Sequence, residues 1–304
     1  MKRRSFIQRL GSGSAFVGLG GPTLQACIPS HQKHLTILHT NDVHSHIDPF
    51  PPDHALYPDM GGVARRATLI EAIRKENPNT LLLDAGDIFQ GTPYFNFYGG
   101  ELEFRLMSKL GYDAATIGNH DFDNGLDGLL AQIPNADFPF VSANYDFSRT
   151  VMEGQVKPYT IFEPDGIRTG VFGLGIQLEG LVTPSLYKET RYLDPIGVAQ
   201  DAVLKLRQEE KCDLVICLSH LGYKYPDNPD RVSDVSLAAA TEGIDLIIGG
   251  HTHTFLDHPV ICRNRQDEQM LVNQVGCYGL NLGRIDFYFD SRKKVQARGR
   301  IIRV

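Results

Sequence analysis

The chain of 304 residues has no tryptophan, only five cysteines and no run of basic residues interleaved with aromatics. With a formal net charge of −6, it lacks the electrostatic footprint of a nucleic-acid binder. The cysteines match no zinc-cage spacing. Cys212, Cys217, Cys262 and Cys277 read as small buried side chains, with a Cys262–Cys277 bridge allowed in an oxidising compartment. No low-complexity linker and no internal repeat interrupt residues 35–304, so these are read as one domain behind a short linker, residues 28–34. Hydrophobic residues make up 42% and charged residues 22% of the chain, an ordinary globular balance.

A run long enough for a confident membrane span is also missing. The closest segment is the first 27 residues, where Lys2, Arg3, Arg4 and Arg9 precede a mildly apolar, Gly-rich stretch. This reads as an export signal over residues 1–27. RRSFIQR resembles a twin-arginine signal, and LQAC (24–27) resembles a lipobox with Cys27 as the lipidated residue. The expectation is an exported protein, periplasmic or attached to the membrane through a lipid on Cys27.

What is present is a rhythm. Short apolar runs (LTILHT, TLLLDAGD, AATIGNHD, FPFVSAN, RTGVFGLG, DLVICLSH and DLIIGGHTH) alternate with amphipathic segments over 62–76, 101–110 and 195–210. Runs apolar on both faces suit strands buried between layers. The alternation predicts an α/β fold with largely parallel central strands. Near the C-terminus LVNQVG, GRIDFYFD and VQARGRIIRV predict antiparallel strands, with a turn over 290–293.

Five of the apolar runs end in ligand-type residues: Asp42 and His44, then Asp87, Asn119 and His120, His220, and finally His251 and His253. Ligands of α/β sheets collect outside the carboxyl ends of strands, so residues more than 200 positions apart can converge. His251 and His253 are separated by one residue; on an extended chain both would face one point, with Gly249 and Gly250 allowing close backbone approach. Carboxylate, imidazole and one amide, without thiolate, suit Zn, Mn, Fe, Co or Mg. The number of candidates exceeds one coordination shell, which favours two divalent metal ions over one.

In this order DxH, GD, GNHD, a lone His after a strand and GHTH resemble the calcineurin-like metallophosphoesterase superfamily. LTILHTNDVHSHI and YDAATIGNHDFD are similar to the two signature segments of its 5′-nucleotidase family, over about residues 35–304. The second signature usually carries Glu where this chain has Asp121. The resemblance implies a two-sheet sandwich flanked by helices. It implies one metal held by Asp42, His44, Asp87 and His253, and another held by Asp87, Asn119, His220 and His251. It also implies a general acid, His120, oriented by Asp123, and hydrolysis of a small-molecule phosphoester, with nucleotides or related phosphate monoesters as the expected substrates. Phosphodiesterase or pyrophosphatase activity, on cyclic nucleotides or UDP-sugars, and a metal-bound binding subunit with little turnover are the alternatives.

Several neighbours are read as supporting residues. His39 is expected to pack near the site, Asp121 to hold its loop and Asn144 to brace backbone. Gly91, after Gln90, is expected to sit close to other backbone. His46 is given little weight as a ligand. His31, His34, His54 and His258 are expected to face solvent. The family's C-terminal domain supplies arginines for phosphate and aromatics for the base; the sequence ends at Val304, so that domain is expected to be absent. Poor base discrimination follows, with a separate polypeptide carrying the missing domain as an expected partner.

Overall fold

The apolar runs become strands because both of their faces are covered. Leu214–Ser219 is buried at all six positions, and Thr169–Leu174 and Thr80–Asp84 are buried along their whole length. The structure is a computed structural model that describes residues 32–290 and 293–304. The expected export signal, Cys27 and His31 lie outside the described residues.

In chain order the elements are β1 (Gln32–Thr40), α1 (Val63–Glu76), β2 (Thr80–Asp84), α2 (Pro93–Tyr98), α3 (Glu101–Leu110), β3 (Ala114–Ala115), α4 (Gly125–Gln132), β4 (Tyr145–Asp146), β5 (Tyr159–Phe162) and β6 (Thr169–Leu174). They continue as α5 (Pro184–Tyr187), β7 (Arg191–Tyr192), α6 (Pro195–Leu204), β8 (Leu214–Ser219), α7 (Asp234–Ala240), β9 (Leu246–Gly249), β10 (Val260–Arg263), β11 (Gln269–Asn273), β12 (Asn281–Asp290) and β13 (Lys293–Arg303). One sheet has the order β13-β12-β1-β2-β3, and the second has the order β10-β11-β9-β8-β6-β5. The centres are parallel: β1 with β2, β2 with β3, β6 with β8, β8 with β9.

Strand parity sorts the side chains into layers. Leu35 and Ile37 of β1 meet Leu214, Ile216 and Leu218 of β8 between the two sheets. Leu38 and Leu82 point outward and pack with Ile70 of α1, Phe104 of α3 and Leu126 of α4. Val215 and Cys217 point outward on the other side, against Ala199 and Val203 of α6 and Leu237 of α7. The result is helices, sheet, sheet, helices. Each buried Leu, Ile, Val or Phe contributes about 1.5–3 kcal/mol, so the slab that carries the strand ends is held from both faces.

Some details differ from the sequence reading. β1 begins at Gln32, inside the expected linker. β11, from LVNQVG, pairs antiparallel with β10 as expected, and on its other edge runs parallel to β9. Residues 138–144 form no strand, only bridges such as Ala115↔Phe140 and Val141↔Lys157. The helix expected over 195–210 ends at Leu204 and widens into a π-turn over Lys205–Glu209. Cys212, Cys217, Cys262 and Cys277 are all free thiols. β12 and β13 pair antiparallel as expected. Among the described residues no helix is long and apolar enough to cross a membrane.

Candidate metal centre

The candidate ligands lie just beyond the carboxyl ends of β1, β2, β3, β8 and β9, where the chain must turn sharply. Asp42, His44, Asp87, His251 and His253 all have φ between +49° and +70°. A non-glycine residue in this region costs about 1–2 kcal/mol, and such strain gathers at functional sites. It also corrects the extended-chain argument for His251 and His253. β9 ends at Gly249, the left-handed turns break the two-residue alternation, and the two rings enter different clusters.

Asp42, His44 and His253 form one cluster; Asp87, His220 and His251 form the other. Within each, the donor atoms lie within 4.8 Å of one another. In the first, His44 Nε2 is 3.0 Å from His253 Nε2. Asp42 Oδ1 is 3.4 Å from His253 Nε2 and 4.0 Å from His44 Nε2. In the second, His220 Nε2 is 3.0 Å from Asp87 Oδ2. Asn119 Oδ1 joins this cluster, 2.8 Å from His251 Nδ1. Asp87 Oδ2 also lies 3.8 Å from His44 Nε2, so a single carboxylate oxygen faces both clusters.

The donor atoms suit divalent ions. His220 is fully buried, and its Nδ1 donates to Ala85 O at 2.7 Å. That fixes the tautomer and leaves the Nε2 lone pair pointing inward. Nε2 has no hydrogen-bond partner, even with Asp87 Oδ2 nearby. Such an orphaned buried acceptor is unfavourable unless a cation occupies the point it faces. Second-site hydrogen bonds of this kind usually orient metal-binding histidines. The carboxylates favour positive charge at that point: burial opposes charge on His220, but Asp87 and Asp42 outweigh it and raise its pKa to about 10, so without an ion Nε2 holds a proton whose place a cation would take. His251 moves the other way, lowered to about 4 by burial.

Backbone and neighbours hold these ligands. Asp42 accepts the His251 N–H through both oxygens, at 2.9 and 3.0 Å, and Asn41 Nδ2 donates to its Oδ2 at 2.6 Å. Asp87 Oδ1 accepts the His120 N–H at 2.7 Å. Asp121 accepts four backbone N–H bonds, from Asp87, Ile88, Phe89 and Gly118, tying the β2 loop to the β3 loop. Asn144 grips Gly175 by both its N–H and its carbonyl. At Gly91, φ +118°, a Cβ would stand 2.7 Å from His44 O, so only glycine fits.

His120 is half-buried, with Nδ1 2.8 Å from Asp123 Oδ2. The hydrogen bond to Asp123 raises its pKa above the ordinary histidine value, against the pull of burial. Its ring lies 5.2 Å from that of His44, edge-on.

Of the other histidines, His34 and His54 depart from the expectation that they face solvent. His34 bonds to Asp286 at 2.9 Å and stacks on Tyr288. His54 packs between Phe50 and Tyr57. His39 is fully buried and meets Asn273 and Gly283; burial lowers its pKa to about 3. His46 turns its ring onto Tyr278 and Phe50, and His258 stays exposed. The sequence reading missed Asn41 and Tyr278, whose N–H donates to Asp42 O at 2.7 Å. It also missed the open cavity of about 690 Å³ that His44, His120 and His253 share with Phe50, Tyr57 and Tyr278.

A family model for calcineurin-like phosphoesterases matches residues 35–255. The trifunctional nucleotide phosphoesterase YfkN of Bacillus subtilis is 36% identical over 86% of this chain, which spans 18% of that protein. The snake venom 5′-nucleotidase of Naja atra is 36% identical over 86% of this chain and 51% of its own length. The 5′-nucleotidase precursor of Thermus thermophilus superimposes with a TM-score of 0.78 at 33% identity, covering 90% of this chain and 55% of that one. The chain thus spans about half, or less, of the length of these relatives.

Proposed function

The chain belongs to the calcineurin-like phosphoesterase family, and from that premise we propose that it is a dinuclear metal-dependent phosphoesterase acting on nucleotides and related phosphate monoesters. The observation that carries the reading is Asp87 Oδ2, 3.0 Å from His220 Nε2 and 3.8 Å from His44 Nε2, one oxygen shared by two donor clusters. Asp42, His44, Asp87 and His253 would hold one ion, and Asp87, Asn119, His220 and His251 the other. When bound, such a pair polarises the phosphoryl oxygens and supplies a nucleophile at neutral pH.

The chain's own groups supply the rest. His120 holds a proton beside the cavity, and Asp123 fixes the ring and favours its charged form. That pair suits protonation of a departing alkoxide. A metal-bound subunit with no turnover has no use for such a donor. Gly91 and Asp121 keep the ligand loops against one another, so the site is preorganised rather than assembled around its substrate.

The relative named a trifunctional nucleotide phosphoesterase acts on phosphate esters of nucleotides, a class that includes diesters as well as monoesters. Hydrolysis of p-nitrophenyl phosphate against bis(p-nitrophenyl) phosphate, with Mn²⁺ or Zn²⁺ added, tests both. A clear preference for the monoester supports the proposal; a clear preference for the diester replaces it; no turnover of either with any metal refutes both. Export through residues 1–27 is the proposed route to its compartment. Replacing Arg3 and Arg4 by Lys should retain the protein inside the cell, and unchanged secretion would exclude the twin-arginine route.

A further inference from the structure

The loop between β1 and α1 carries a cluster of rings that belongs to none of the three apolar cores. His46, Phe50, His54 and Tyr57 come from this loop, and Tyr278 comes from the turn before β12. Phe50 is the hub: its ring centroid lies 5.0 Å from His46, 4.6 Å from His54 and 5.4 Å from Tyr57. His46 lies 4.4 Å from Tyr278. Tyr278 in turn lies 5.9 Å from His44 and 5.7 Å from His253. The rings therefore form a continuous wall running outward from the candidate metal ligands.

The wall is built, not trailing. Phe50 N–H donates to Met60 O at 2.8 Å, His54 N–H to Pro51 O at 3.0 Å, and Val63 N–H to Ile47 O at 2.8 Å. Gly61 N–H donates to Val304 O at 2.9 Å, pinning the loop to the end of β13. Tyr278 holds a left-handed backbone, φ +60°, and its N–H is anchored on Asp42 O. Backbone strain of this kind gathers at functional sites, and here it falls on an aromatic residue fixed to a candidate ligand.

The wall and the proton donor share one cavity. His44, His120 and His253 line it together with Phe50, Tyr57 and Tyr278. A volume of about 690 Å³ lies within the range of small-molecule sites, roughly 300–1,000 Å³. The oxygen that His120 would protonate carries the organic part of the substrate, and the aromatic wall lines the same cavity, reaching the ligands through Tyr278. Half-buried ring faces there offer stacking to a planar group. His54 Nδ1 accepts the Tyr57 N–H at 3.0 Å, which puts its proton on Nε2 and adds a polar edge.

We infer that this wall is a leaving-group subsite for a planar aromatic ring, the base of a nucleotide, supplied by the metal-binding domain itself. The inference rests on the phosphoesterase reading above. It replaces the expectation that base discrimination must come from another domain.

The test compares AMP with ribose 5-phosphate, which presents the same phosphate without a base, on the metal-loaded full chain. AMP should have the larger kcat/KM by about 5- to 150-fold, the fold-change that stacking one base corresponds to. Phe50→Ala and Tyr57→Ala should each shrink that ratio while retaining the parent's metal content. Ile261→Ala, an exposed residue on β10, should leave it unchanged. Equal kinetics for the two substrates in the parent, or a ratio that survives both variants, overturns the subsite. If neither phosphate is hydrolysed, the phosphoesterase reading fails, and calorimetric binding of adenosine decides the subsite alone. Binding that both variants weaken upholds it; absent or unaltered binding overturns it.

Discussion

Gly250→Ala is the most informative single methyl group in this protein. Gly250 does not use a left-handed backbone, so alanine is allowed conformationally. A Cβ there would lie 2.7 Å from His220 Nδ1, 2.9 Å from Ala85 O and 3.1 Å from Asp42 Oδ2. The first two atoms are the partners of the 2.7 Å hydrogen bond that fixes the His220 tautomer, so the methyl wedges into that bond. Overpacking a filled site costs about 1–3 kcal/mol, and losing a buried hydrogen bond costs about 1–3 kcal/mol more. The expected total is about 2–6 kcal/mol by these two principles. Denaturant titration in the presence of chelator reads the part borne by the fold. Calorimetric titration with Mn²⁺ reads the part borne by the ligands, where disturbing an orienting partner lowers affinity about 10- to 100-fold. Gly154→Ala is the control: nothing lies within 4 Å of its Cβ and its φ is +75°, so it should cost about 1 kcal/mol of strain and leave Mn²⁺ affinity unchanged. Gly250→Ala with parental affinity and a stability change under about 0.5 kcal/mol, the scatter of a neutral surface substitution, would refute the account of His220.

Asp87→Asn should lower metal content at both positions, because its Oδ2 faces both clusters; elemental analysis showing one full equivalent retained would exclude the shared carboxylate. His120→Ala should keep its metals and lose about 10²–10⁴-fold in turnover, with a smaller loss on p-nitrophenyl phosphate than on AMP; equal losses on both would exclude proton donation. Because Asp123 raises the His120 pKa, the protonated acid persists above the ordinary histidine range and activity falls as pH rises through the raised value. Asp123→Asn should therefore move the alkaline limb of kcat/KM to lower pH, and an unmoved limb would assign that limb to another group.

The ends of strands were legible in the sequence because each apolar run stops abruptly at Asp, Asn or His. β8 followed by His220 is the clearest case. Periodicity also located α1 and α3, where apolar residues repeat along one stripe. Strand parity alone did not divide His251 and His253 between clusters, although the family resemblance did, because the division depends on left-handed turns at non-glycine residues. β11 was read correctly as antiparallel to β10, but its parallel pairing with β9 was not foreseen, because a short strand looks the same whichever way its neighbour runs. The aromatic wall stayed hidden for a different reason. His46, Phe50, His54 and Tyr57 follow no helical or strand period, and Tyr278 joins them from more than 200 residues away. His34 and His54 looked like solvent histidines for the same reason: their partners, Asp286 and Phe50, are set by tertiary packing and by loop closure.

The central claim is that two donor clusters sharing Asp87 bind two ions that act together. Equilibrium dialysis of the purified chain against Mn²⁺, with phosphate release from AMP followed on the same samples, tests it directly. Saturation is expected at two ions per chain, with activity appearing only as the second is bound. Saturation at one ion with full activity, or two ions bound with no phosphate released from any ester, would contradict it.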